Sequence, residues 1–320
     1  MMAKTVTIFG GTGFIGRYVV ALLAKHGWNI RVVLRRQDRG LFLKPMGSLG
    51  QIQLLVADIH KPEMLTAALQ GSVAAINLLG ILRQRGRQTF KRIHIQAAEN
   101  IARSAAASGI RHLIHISAIG ADDQSTSQYA RTKAMGEKQV RHHFPQAVIL
   151  RPSVVFGPED SFFNRFARLA RYSLVLPIIC PKTKFQPIFV QDVAQAIIKC
   201  LEQPQTEGHI YELGGPKIYT FQDIWNYTLK VVGRSRFLIS LPMILAKPMT
   251  WLTGWMPGSP LTLDQLRLLE MDNLVSKQSL SLSDLGIVAT NLEKIVPAYL
   301  SLYKAKIQRN ITNYGYTQFD

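Results

Sequence analysis

Cysteine is nearly absent. The 320-residue chain holds two, Cys180 and Cys200, and neither has a partner at metal-ligand spacing. That excludes a disulfide framework and suits a reducing compartment. Acidic side chains are scarce as well, 20 against 38 Lys and Arg, leaving a formal net charge of +18. Such a balance points to an anionic partner: nucleotide phosphates, an acidic protein surface or the anionic face of a membrane. Nucleic acid is the weakest of these readings, because zinc-finger spacing, an aromatic-rich RNA-binding signature and a continuous basic helix are all missing. No apolar run is long enough to suggest a spanning helix. The chain opens Met1-Met-Ala-Lys4 and enters its first predicted strand at once, so no signal or transit peptide is expected. With 47% hydrophobic and 18% charged residues, it can bury a sizeable core.

What is present begins with Thr5 to Arg17, an apolar strand (Val6, Ile8, Phe9) running into three glycines, Gly10, Gly13 and Gly16, and then a helix over Tyr18 to Lys25 capped by Gly27. A strand that ends in glycine and reopens as a helix aims unpaired N–H groups, at the positive end of the helix dipole, at one spot suited to a diphosphate. Gly10 permits the turn, Gly13 lets phosphate approach the backbone, and Gly16 lets the helix pack on the strand. The loop Gly10, Gly11, Thr12, Gly13, Phe14, Ile15 and Gly16 is therefore the candidate dinucleotide cradle. Asn29 to Leu34 forms the second strand and delivers Arg35 and Arg36 where a cofactor lacking a 2′-phosphate usually meets an acid. Arg17 adds a further cation. This favours NADP(H), although Asp38 is near.

Gln51 to Ala57 reads as strand three, ending in Asp58-Ile59, a pair expected beside the adenine; Pro62 to Leu69 is a helix. Val73 to Leu78 is strand four, stopping at Leu79-Gly80, where the chain can cross the phosphates. A basic segment, Ile81 to Arg92, opens a long helix to Ser108, and His112 to Ile116 is strand five. Alternation at this spacing predicts an α/β, doubly wound parallel sheet of Rossmann type. Strand five ends in Ser117, and Tyr129 and Lys133 share one face of the next helix. An ammonium there would lower the tyrosine pKa and make Tyr129 an acid or base, with Ser117 holding the substrate oxygen and Lys133 the nicotinamide ribose. The alternative is an amphipathic helix with a surface lysine.

With Ser117, Tyr129 and Lys133 behind GGTGFIG, and Arg151-Pro-Ser-Val-Val-Phe-Gly-Pro158 further on, the chain resembles the extended short-chain dehydrogenase/reductase superfamily over most of its length. The resemblance adds Pro152 to the expected cofactor-lining residues. Within that superfamily the chain is most similar to an atypical branch, the NADPH-binding accessory subunit of respiratory complex I and its bacterial relatives. That likeness rests on Tyr129 to Glu137, Phe156-Gly-Pro-Glu-Asp160 with Phe162-Phe-Asn164, Leu261-Thr-Leu-Asp-Gln265 leading to Asp272-Asn273, and Asp284-Leu-Gly286 before Asn291-Leu-Glu293. It implies a largely structural NADPH, complex I subunits as partners, and a peripheral position on the cytoplasmic side of a bacterial inner membrane. An independent NADP(H)-dependent oxidoreductase or sugar-nucleotide-modifying enzyme, and a redox-sensing regulator, stay open. The Asn that active superfamily members carry on the helix after strand four is matched here by His94, either a proton relay or a packed histidine.

The expected organisation is a nucleotide domain over 1–156 with 188–215 returning to it, a smaller α/β domain over 157–187 and 216–310, and a mobile tail, 311–320. Ser161 to Tyr172 and Asn291 to Ile307 are predicted helices. Phe237 to Leu263 is rich in Leu, Met, Trp and Pro and suits an anionic membrane surface, another subunit, or a pocket lid.

Overall fold

A computed structural model describes residues 4–253, with side chains to 248, and residues 262–304. Six strands, β1 (Thr5–Phe9), β2 (Asn29–Leu34), β3 (Ile52–Val56), β4 (Ala74–Asn77), β5 (His112–Ile116) and β6 (Val148–Pro152), are joined by Ile210–Leu213 into one seven-stranded sheet. The spatial order is Ile210–Leu213, β6, β5, β4, β1, β2, β3, and every pairing is parallel. Such strands are covered on both faces and read as unbroken apolar runs, as Ala74–Asn77 does with all four residues buried. The order reverses between β1 and β4, so the ligand crevice opens there, at the carboxyl ends of the strands.

The helices divide between the two faces. On one face α1 (Phe14–Lys25) packs with the Val190–Glu202 helix; on the other lie α2 (Pro62–Leu69), α3 (Ala97–Ala107) and α4 (Gln128–His143). The long helix expected from the basic segment starts later: Ile81 to Phe90 is mostly loop, and the helix enters through a π-helical turn, Lys91–Gln96. A wide turn of this kind offers its carbonyls to a neighbour. Gly136 of α4 sits directly against the His94 carbonyl oxygen, where any Cβ would overlap it.

A second core gathers Phe156, Phe163, Phe166, Phe221 and Trp225 around α5 (Phe163–Tyr172) and the Phe221–Val232 and Leu292–Leu300 helices. The last of these stops at Leu300, short of Ile307: Pro297 lies inside it and a 3₁₀ turn, Ser301–Tyr303, follows. The expected tail 311–320 and Trp255 lie outside the described residues. Val175–Ile178 and Phe237–Ser240 form a short parallel ribbon that buries Leu176 and Ile178 while Phe237 (75% exposed) and Ile239 face outward.

Candidate functional site

The glycine loop has the geometry its sequence requires. Gly10 adopts φ +86°, a left-handed conformation that disfavours side chains. At Gly16 a Cβ would overlap the Gly10 carbonyl oxygen and lie 2.6 Å from the Gly11 Cα. Its role is to let the helix approach the turn itself rather than the strand. Gly11 is crowded by a side chain instead, a Cβ falling 2.8 Å from Val32 Cγ1. Gly13 differs: it is exposed, and a Cβ would meet only the Gly10 carbonyl oxygen, at 3.2 Å. Gly13 is also the N-cap of α1, with no side-chain cap and no acid in the first turn, so the helix start aimed at the crevice carries uncompensated positive potential. Thr12, Phe14 and Ile15 are half-buried around it.

The three candidate arginines separate. Arg36 is spent on Asp38, donating from Nε at 3.1 Å and Nη2 at 2.8 Å. Arg17 lies 3.6 Å from Glu159 and stacks over Phe42 at 5.2 Å. Arg35 stays exposed at the end of β2; with the Gln88 amide turned as its hydrogen bonds favour, Arg35 Nη2 donates to the Gln88 side-chain oxygen at 2.7 Å, and no described carboxylate pairs with it. Beyond β3, Asp58 is exposed and accepts from the His60 amide at 3.0 Å, while the Ile59 carbonyl accepts from Asn100 Nδ2 at 3.2 Å. Leu79 follows β4 with its amide held by Asn77 Oδ1 at 3.1 Å, and a Cβ on Gly80 would stand 3.7 Å from Lys133 Nζ. Pro152 is buried at the end of β6 and its carbonyl accepts from the Ile119 amide at 3.1 Å.

Ser117, Tyr129 and Lys133 lie at the same crevice, but Tyr129 and Lys133 do not form the expected acid–base pair. Lys133 is 4% exposed and donates to the Ile116 carbonyl at 2.8 Å; burial brings its ammonium down to about 8. Tyr129 is pushed up to about 12 by burial rather than lowered by a neighbouring charge, packed edge-on against Phe90 and His94. Ser117 Oγ is buried with no hydrogen-bond partner among the described residues.

His94 serves packing. Its Nε2 accepts from the Ile81 amide at 3.1 Å, so Nδ1 carries the proton toward Thr132 Oγ1 at 3.0 Å. Burial, with the Lys133 charge second, takes it to about 3, and a ring held neutral with both nitrogens occupied relays no proton. Another histidine, His115, is fully enclosed beside Lys133: Nδ1 bonds Asn77 Nδ2 at 3.0 Å, Nε2 has no partner among the described residues, and burial keeps it neutral.

A distant residue completes the site. Asp264, on the Leu263–Leu269 helix, accepts from the amides of Gln128 at 2.6 Å and Tyr129 at 3.0 Å and from Ser127 Oγ at 3.0 Å. Its carboxylate thus caps the helix that carries Tyr129, where negative charge is favoured. Nearby, Asn273 Oδ1 accepts from Ser153 Oγ at 2.6 Å and ties the same segment to the end of β6. Sequence motifs mark Asp264 and Asn273 as notable but not what they hold.

The model of the NmrA-like family matches residues 2–249. The mouse mitochondrial NADH dehydrogenase [ubiquinone] 1 alpha subcomplex subunit 9 is 33% identical over 291 residues, covering 90% of this chain and 77% of that protein. A ceramide reductase of Caulobacter vibrioides is 31% identical over 239 residues, 74% of this chain and 73% of that one. Among solved structures, a triphenylmethane reductase of Citrobacter superposes with a TM-score of 0.75 at 17% identity, covering 92% of this chain and 99% of that one, which shows a shared fold. The chain belongs to the NmrA-like family of extended short-chain dehydrogenase/reductases and is a homologue of the complex I alpha subcomplex subunit 9 proteins.

Proposed function

We propose that this protein is an accessory subunit of a respiratory NADH:quinone oxidoreductase, holding NADPH as a largely structural ligand. The observation that carries the reading is the 33% identity to the subunit 9 protein across 90% of this chain. The residues fit the nucleotide: the uncapped start of α1, exposed Gly13 and the Leu79-Gly80 crossing suit the diphosphate, Arg35 the 2′-phosphate, Asp58 and Ile59 the adenine end, and the unpartnered Ser117 hydroxyl the nicotinamide end. When bound, the nicotinamide supplies a hydride donor or acceptor. The chain's own groups do little to complement it: Tyr129 stays protonated near neutral pH, Lys133 is turned to a backbone carbonyl, and His94 is locked. That favours retention over turnover, and a ligand bound only by the folded state stabilises it by mass action.

Attachment to the membrane arm is part of the same reading. No described helix is long and apolar enough to cross a membrane. The exposed Phe237, Ile239, Ile244 and Leu245, with a basic chain around them, suit an anionic surface on the cytoplasmic side of an inner membrane. Affinity-tagged protein from its native host should co-purify with the membrane-bound oxidoreductase; recovery solely as a free species would count against the role. The buried, unpartnered Ser117 and the ceramide reductase relative favour a second reading, an independent NADP(H)-dependent oxidoreductase in which Tyr129 exchanges the proton with a carbonyl oxygen. Turnover of a carbonyl substrate, lost in Tyr129→Phe, would establish it.

A further inference from the structure

Arg35 is held from across the sheet. Its partner, Gln88, belongs to the stretch 81–90 that follows β4, and the Gln88 side-chain oxygen accepts from both Nη atoms, from Nη2 at 2.7 Å. In the sheet, β1 lies between β4 and β2. Neighbouring strands stand about 4.8 Å apart, so a contact from the chain after β4 to a residue at the end of β2 crosses the carboxyl end of β1, where the glycine loop begins. The crossing chain is fixed by bonds of its own. Arg85 and Gln88 exchange amide-to-carbonyl bonds, both at 3.0 Å, and close a tight turn on Gly86, whose φ of +54° is left-handed. The Ile81 amide donates to His94 Nε2 at 3.1 Å, and Gln84 Oε1 accepts from the Phe90 amide at 3.0 Å. Phe90 is buried, with its ring edge-on to Tyr129. One short stretch therefore touches both ends of the crevice, Tyr129 through Phe90 and Arg35 through Gln88.

A guanidinium presents its N–H donors as forks, one end-on and one side-on. Gln88 takes the end-on fork of Arg35, Nη1 with Nη2, and leaves the side-on fork, Nε with Nη2, to grip two oxygens of a phosphate. Arg36 shows the contrast: its side-on fork is already filled by Asp38, from Nε at 3.1 Å and Nη2 at 2.8 Å. We infer that residues 81–90 form a strap over the nucleotide, latched by Gln88 on Arg35, and that Gln88 is the positioning residue that sets how slowly NADPH enters and leaves. This rests on the reading that the crevice holds NADPH with its 2′-phosphate at Arg35. The latch joins two parts of the chain and uses no donor the phosphate needs, so it holds the strap down equally with and without nucleotide. It slows passage in both directions and leaves the affinity nearly alone. A side chain that touched the nucleotide directly would instead change the affinity, through release alone.

The test uses full-length protein, Gln88→Ala, Arg35→Ala and the double variant. Release is followed by the fluorescence of bound NADPH after mixing with excess NADP+, and uptake by stopped flow. Gln88→Ala should quicken both about tenfold while its NADPH affinity stays within about threefold. NADH has no 2′-phosphate, so Arg35 acts on it only through the strap. Each single variant should release NADH about tenfold faster, and the double variant no faster than either, because both changes remove one contact. Backbone hydrogen exchange over 81–90 reads the strap with no nucleotide added and should quicken in Gln88→Ala. The proposal is overturned if Gln88→Ala releases NADPH at the wild-type rate, if exchange over 81–90 is unaltered, or if affinity falls tenfold with uptake unchanged, which would make Gln88 a ligand contact. Wild type that takes up no NADPH would instead defeat the cofactor reading, and hydrogen exchange would still show whether the latch exists.

Discussion

The two ends of the crevice are built from different materials. The nucleotide end is backbone: Gly16 leaves no room for a Cβ, Gly10 holds a left-handed φ, Gly13 is exposed to a ligand, and the start of α1 has no cap of its own. The Tyr129 end is side chains, and burial sets their protonation: it pushes Tyr129 up to about 12, brings Lys133 down to about 8 and keeps His94 neutral. A backbone cradle binds whatever the side chains around it do. A catalytic cluster works only when its pKa values are matched, so the same fold can keep the first and let go of the second.

The largest effects should come from the glycines and should separate folding from binding. Gly16→Val forces a side chain into the Gly10–Gly11 backbone and should cost about 3 kcal/mol or more, read by urea unfolding. Gly13→Val brings a Cβ only to 3.2 Å from the Gly10 carbonyl oxygen, a contact that a small shift relieves, and should fold while losing NADPH. If both variants fold and bind alike, the cradle is placed wrongly.

Lys133 tests the other end. Its pKa falls from 10.5 to about 8 on burial, so the unfolded chain binds more protons between those values and stability rises with pH across that window, the burial cost being complete below it. Wild type should gain up to about 3 kcal/mol between about pH 7 and pH 10 relative to Lys133→Met, whose curve should lack the slope. Parallel curves would show that Lys133 is not held in a dry site. Arg35→Ala comes next: the loss of a charge-assisted contact worth on the order of 1.5–3 kcal/mol should weaken NADPH by roughly ten- to a hundred-fold and leave NADH nearly unchanged. Equal losses for both cofactors in a titration at one ionic strength would move the 2′-phosphate away from Arg35.

Asp264→Ala removes the carboxylate cap of the Tyr129 helix and should cost about 1 kcal/mol in thermal unfolding. Asp264→Asn, still able to accept, should cost less. The smallest effect belongs to Tyr129→Phe: NADPH retention should not change, because the hydroxyl contributes no charge near neutral pH. Retention lost in that variant would break the contrast between the two ends.

What could be read from the sequence follows the same division. Strand and turn positions declared themselves because their causes are local: short unbroken apolar runs and glycines at fixed intervals, with Asn29–Leu34 and Pro62–Leu69 at the predicted bounds. Ser117, Tyr129 and Lys133 were found by spacing, which locates side chains but not their electrostatics; how deeply Lys133 is buried depends on Gly80, Ile116 and His115 arriving from other segments. The π-helical turn at His94 was invisible because its partner, Gly136, lies on another helix. Asp264 is the extreme case: nothing local distinguishes a carboxylate that caps a helix 135 residues earlier in the chain.

The central claim, a structural NADPH on an unreactive site, is tested most directly by denaturing freshly purified protein and identifying the released nucleotide by mass. The account predicts stoichiometric NADPH, still reduced after storage in air and not displaced by excess NADH. Bound NAD(H), or protein that is empty and fails to take up NADPH on titration, would contradict it.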